Sequence, residues 1–212
     1  MSEKKLIPTD VYAEMTPNPA TMKFVTDRPL ILDGDQVYYV DAAMVGESSP
    51  LAKELFCFPF VKEVFISANY VTVTKDESLG WEMIVNQLRE HVRDWLMENE
   101  VAVNFVPEQQ EAELAEHMDE SSPERKATLA DLEGAEATEL DDQIKILLDE
   151  FVRPAVEQDG GAIDFLAFKE GKVFVELKGA CNGCPSSMQT LKGGIEGLLK
   201  SKLAEVEEVV AV

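Results

Sequence analysis

The chain has 212 residues, 45% of them hydrophobic, with 41 acidic side chains against 19 lysines and arginines and a formal charge of −22. Its length admits one or two domains. Its charge argues against non-specific attachment to nucleic acid or to an anionic membrane surface, and no apolar run approaches the roughly 20 residues of a membrane span. Met1-Ser2-Glu3-Lys4-Lys5 leads into no apolar stretch and is not Arg-rich. Neither a signal peptide nor a transit peptide is read there, and a cytoplasmic chain is expected.

Residues 11–15 and 21–25 read as strands, broken by Thr16-Pro17-Asn18-Pro19. Residues 30–32 and 37–40 flank Asp33-Gly34-Asp35, a hairpin signal. Ser49-Pro50 opens a helix through about Phe56, and residues 61–67 and 70–75 predict another hairpin. Trp81, Ile84, Val85, Leu88, Val92 and Trp95 recur at helical spacing and predict a long helix. Met22 and Trp81 read as core positions.

The composition changes at Pro107. Residues 107–139 hold 11 acidic and two basic side chains, few branched apolar residues and no aromatics, so they bury little surface. The organisation expected is two small α+β domains, residues 1–106 and 138–212, joined by an acidic flexible linker, residues 107–137.

Leu140, Ile144, Leu147, Leu148, Phe151, Val152 and Ala155 mark an amphipathic helix with Thr138 and Asp141 as a capping box. Pro154 should loosen its last turn, and Asp159-Gly160-Gly161 should stop it. Residues 163–168 and 172–178 form two strands around a Glu170-Gly171 turn. A second helix runs from Pro185 to about Lys202, with Gly193-Gly194 read as a close-packing device. A last strand follows near Val206–Val212.

The chemistry concentrates in Gly179-Ala180-Cys181-Asn182-Gly183-Cys184-Pro185, at a strand-to-helix junction. Cys181 and Cys184 stand three residues apart, and the second opens a helix whose free N–H groups and dipole favour a thiolate. Cys57, between Phe56 and Phe58, reads as a core cysteine. His91 and His117 read as surface residues rather than ligands. Three cysteines do not make a secreted disulfide framework, so the close pair points to metal binding or redox work. A closed zinc site or a [4Fe–4S] cluster wants four thiolates, and one chain supplies two in one place. Two chains completing the site across a two-fold axis would satisfy that count. A thiol–disulfide oxidoreductase and a zinc-bridged dimer remain alternatives, since thiolates suit both metals. No GxGxxG or GxxxxGK[ST] phosphate motif and no assembled nucleophile–His–acid set is visible, so an enzyme is not expected.

Asp159-Gly160-Gly161, the Cys181–Ser187 string CNGCPSS and Thr190-Leu191-Lys192-Gly193-Gly194 closely resemble the C-terminal domain of NifU-like (Nfu) proteins. Thr16-Pro17-Asn18-Pro19 with Met22-Lys23-Phe24, Ser49-Pro50-Leu51-Ala52, and Val71-Thr72-Val73-Thr74-Lys75 followed by Trp81 resemble the N-terminal domain that accompanies it in one Nfu subgroup. The resemblance implies an iron–sulfur cluster carrier or scaffold whose ligands are Cys181 and Cys184. It implies a [4Fe–4S] cluster, or else [2Fe–2S], held between the subunits of a homodimer. Its partners would be apo iron–sulfur client proteins and upstream cluster-assembly proteins, with no nucleic acid and no membrane. It implies target or partner binding for the N-terminal domain. Asn182, Gly183 and Ser186 would tune the site or shape its turn.

Overall fold

The computed structural model describes residues 6–32, 34–107, 138–182 and 185–211, with backbone alone at 185–188. The chain is α+β and divides into two compact units, Met1–His117 and Met118–Val212. The expected linker, residues 107–137, lies outside the described residues beyond Pro107.

The first unit is a five-stranded antiparallel sheet carrying two helices. Its strands are β1 (Val11–Met15), β2 (Thr21–Thr26), β3 (Gln36–Tyr39), β4 (Val61–Ser67) and β5 (Tyr70–Lys75), in the order β1-β2-β5-β4-β3. Helix α1 (Pro50–Leu55) starts where Ser49 Oγ accepts the Ala52 N–H at 3.1 Å, with Pro50 supplying a preset φ at the first turn. The long helix α2 (Trp81–Glu98) buries Ile84, Leu88, Val92 and Leu96, a four-residue spacing that gives one continuous stripe against β1 and β2. Arg28 caps its far end, donating from Nη2 to the carbonyls of Leu96 and Asn99 at 2.8 and 2.7 Å.

The hairpin expected at residues 30–40 does not form. Leu30 and Ile31 donate their N–H groups to the Ala68 carbonyl in the β4–β5 turn, and β3 pairs with β4 instead. A turn signal between two apolar runs states that the chain reverses, not which strand becomes the neighbour. Met22 is buried as expected. Trp81 is half-buried, its Nε1 donating to Pro19 O at 3.1 Å, rather than a core side chain.

The second unit opens with helix α3 (Glu139–Leu147), a wider π turn at Leu148–Val152, and helix α4 (Arg153–Gln158). Pro154 has no N–H to return to the Glu150 carbonyl, which accounts for the break in the ordinary ladder just before it. The capping box at Thr138 is not made. Thr138 Oγ1 donates to the Asp141 carboxylate at 2.6 Å instead of capping a backbone N–H. Strands β6 (Gly161–Lys169) and β7 (Lys172–Gly179) form an antiparallel hairpin about Glu170 and Gly171, both left-handed with φ of 50° and 78°. Helix α5 (Pro185–Lys202) then crosses over to β8 (Glu208–Ala211), which lies parallel to β7.

Both helical segments cover one face of the three-stranded sheet. Ile144, Leu148, Val152 and Val156 meet Val173, Val175 and Leu177 from β7 and Ile195 and Leu199 from α5, and Cys181 belongs to this cluster.

Candidate metal centre around Cys181

The site is built where two chain reversals meet. Asp159 ends α4, and Gly160, at φ +83°, turns the chain into β6 as a left-handed residue after a helix. Gly161 is the first residue of β6 and pairs with Gly179, the last of β7. Gly179 is itself left-handed at φ +62°, and the Asn182 N–H returns to its carbonyl at 3.1 Å, closing a tight turn through residues 179–182. The Ala180 N–H reaches back to Gly160 O at 3.2 Å, so the turn is tied to the Gly160-Gly161 pair.

That turn aims Cys181 inward. The residue is 7% exposed and packs in the apolar core. Its Sγ lies against the Gly161 backbone so closely that a Cβ on Gly161 would come within 2.7 Å of it, and within 2.6 Å of Lys178 O. The charge state follows from this placement. Burial pushes the Cys181 thiol up, and the Asp159 carboxylate adds to the effect, to a pKa of about 12. Burial in the core thus favours the neutral form of the Cys181 thiol. Cys184, and the expectation attached to its place at a helix opening, lie outside the described residues, as do Gly183 and the Ser186 side chain.

Lys178 supplies no compensating charge. Its ammonium is buried on the other face of β7, 2.8 Å from Asp164 Oδ2 and 3.3 Å from Glu176 Oε2. Burial disfavours that charge, the two carboxylates more than offset it, and the pKa is raised.

The other candidates separate. Cys57 is exposed, not buried: α1 turns its apolar face, Leu51, Ala52 and Leu55, inward, and the turn after it carries Cys57 outward. His91 is half-buried on α2 rather than a free surface group, its Nε2 3.3 Å from Glu54 Oε1 and its ring edge-on to Phe58. His117 lies outside the described residues. Among the described residues no group of three or more His, Cys, Asp or Glu side chains could hold a metal ion. A thiol is a donor type that suits an iron–sulfur cluster, and that of Cys181 is buried in the core.

Gly193 and Gly194 do not serve the close packing that their sequence context predicts. A Cβ at either, or at Gly197, would meet nothing within 4 Å. Gly193→Ala and Gly197→Ala should each therefore raise the stability of the apo chain, by about 0.5–1 kcal/mol, read as a higher melting temperature of the second unit. The role of Gly161 was also not legible. Asp159-Gly160-Gly161 reads as a helix stop, yet one left-handed glycine suffices for that; the second, at the start of a strand, was the signal of a close approach.

Comparison with known proteins covers both units. A family model described as a NifU-like domain matches residues 144–210. A second, described as the N-terminal domain of the scaffold protein Nfu/NifU, matches residues 11–99. The protein named NFU1 iron-sulfur cluster scaffold homolog, mitochondrial, of Drosophila sechellia is 31% identical over 202 residues, 95% of this chain. The protein of the same name from Drosophila persimilis is 29% identical over 95% of the chain. The chain spans 64% of the length of each. A NifU-like protein of Saccharomyces cerevisiae, 21% identical, aligns with 49% of this chain and 90% of its own at a TM-score of 0.38. Protein SAV1430 of Staphylococcus aureus, 20% identical, aligns with 38% of this chain and 95% of its own at 0.34. Neither score is high enough to establish a shared fold.

These names correct the expected cytoplasmic location, because the relatives are mitochondrial proteins. Composition reports what a chain buries and how it is charged, and a mature organelle protein shares both properties with a cytoplasmic one. With an Nfu-type N-terminal domain matched in the first unit and a NifU-like domain across the Cys181 turn in the second, the chain belongs to the NifU-like (Nfu) family.

Proposed function

We propose that this chain is an iron–sulfur cluster carrier. Cys181 and Cys184 from each of two copies would hold one [4Fe–4S] cluster, which then passes to apo-proteins. The observation that carries the reading is the NifU-like match running through the Cys181 turn, in a unit whose described residues contain no complete metal-ligand group. Two thiols per chain fall short of the four that a cluster takes, and a second copy makes up the number. The names of the relatives, iron–sulfur cluster scaffolds, point the same way.

In this reading the cluster is cargo and the protein breaks no substrate bond. Cys181 gives up its proton as it bonds to iron. On delivery, each client thiolate that bonds to iron displaces one carrier thiolate, which takes up a proton as it returns to the core. Burial of Cys181 favours that return, because its neutral form is the one the core accepts. Clients and upstream assembly proteins would meet the homodimer formed around the cluster. The proposed division is residues 1–106, 107–137 and 138–212.

The test is anaerobic reconstitution with iron and sulfide. A brown dimer with about two irons per chain is expected for a bridged four-iron cluster. About one iron per chain in a dimer would replace it by a [2Fe–2S] cluster. A colourless dimer holding zinc, or a monomer without metal that cycles a disulfide, would sink the carrier reading.

A further inference from the structure

We propose that Gly161 is a positioning residue for Cys181: it seals the apo thiol in the core, and the turn at residues 179–182 must open before the thiol can serve as a ligand. The ligand role rests on the carrier reading; the seal itself rests on geometry alone.

Three observations carry it. Cys181 is only 7% exposed and contacts the core cluster that holds the second unit together. The thiol fits because Gly161 has no Cβ; one added there would stand 2.7 Å from Sγ, 3.1 Å from Cys181 N and 2.6 Å from Lys178 O. Real Cβ atoms do not approach so closely, so either the thiol or the backbone of the turn would have to move. Gly161 itself has no left-handed φ among the positive values of the chain, so turn geometry does not explain it. The reason for a glycine is the close approach of this turn, through the Lys178 carbonyl and the Cys181 thiol together.

The turn is suited to opening. Backbone hydrogen bonds close it, among them Ala180 N–H to Gly160 O at 3.2 Å and Asn182 N–H to Gly179 O at 3.1 Å. Loss of a few such bonds is a local event that leaves the rest of the core intact. The carrier would thus expose Cys181 only transiently, while Cys57, exposed on the first unit, reports the reactivity of an unsealed thiol in the same chain.

The experiment is alkylation of the full apo chain with N-ethylmaleimide under native conditions, with each cysteine quantified by peptide mass spectrometry. Cys181 in the unmodified sequence should react about 100-fold or more slowly than Cys57, and mild denaturant should change its rate far less steeply than it changes global unfolding. Gly161→Ala should raise the Cys181 rate about tenfold or more relative to Cys57. Val209→Ala, a core truncation in β8, serves as the control, with denaturant adjusted so that both variants have the same global stability. A merely structural Gly161 would leave the two variants equal, and that result would overturn the proposal. So would a Cys181 rate within about threefold of Cys57 in the unmodified chain, or a denaturant dependence equal to global unfolding. Should Gly161→Ala fail to fold, the two measurements on the unmodified chain still decide the seal. None of this involves iron. A sealed thiol in a chain that takes up no cluster would refute the carrier reading alone, and an open thiol in a chain that loads iron would refute the seal alone.

Discussion

Cys181→Ala is expected to give a folded protein that stays colourless after reconstitution, whereas Cys57→Ala loads as the unmodified chain does. Removing one thiol from each copy leaves two of the four thiolates a bridged cluster takes. Among the described residues no cluster of ligand side chains stands ready to replace them. Iron uptake should therefore fall to background, not to half. The stability cost should be modest by comparison. The substitution truncates a 7% exposed side chain by one atom, which leaves a small cavity worth about 1–2 kcal/mol. Cys57 is exposed, and its loss should cost within about 0.5 kcal/mol. Iron content, visible absorption and a thermal melt on the three proteins check this. Retention of about two irons per chain by Cys181→Ala would remove it from the ligand set.

Leu199→Ala should have the largest effect on stability. Leu199 is fully buried on α5 and belongs to the core cluster of the second unit. Leu→Ala at such a position costs about 2.7–5 kcal/mol, through lost burial and the cavity left behind. In a domain of this size about 3 kcal/mol lowers the melting temperature by roughly 12–24 °C. The sheet of the first unit has its own core, including Phe24, Val64, Val71, Leu88 and Leu96, so its transition should stay in place. Calorimetry should then resolve two transitions where the mutation moves only one. A single transition that shifts as a whole would show that residues 138–212 do not fold as their own domain.

The elements that the sequence made legible share a local cause. Ser49-Pro50 starts α1 because a cap and a preset φ act within one turn. The apolar spacing from Trp81 gives α2, and Glu170-Gly171 gives the β6–β7 hairpin, because each signal spans only a few residues. Pro154 disturbs its helix one turn upstream, where its missing N–H would have donated. The CNGCPSS string after Asp159-Gly160-Gly161 was enough to indicate the family.

What failed depended on distance along the chain. Cys57 sits between two phenylalanines and is nonetheless exposed, because the direction of a side chain past a helix end follows from the turn, not from its neighbours' hydrophobicity. Residues 30–32 lie beside an Asp-Gly turn and still give their hydrogen bonds to Ala68, because partner choice is settled by the whole sheet. The exposed glycines of α5 look like packing residues only until their surroundings are known.

The sequence by itself determined most helices and strands, the acidic composition, the thiol pair and the family, since each is written in residue type and short-range spacing. Only the tertiary structure decided that Gly161 lies against a thiol 20 residues away and that burial pushes this thiol's pKa up. A side chain's charge and reach are set by the dielectric and the neighbours that folding gathers around it, and those come from parts of the chain that no local pattern connects.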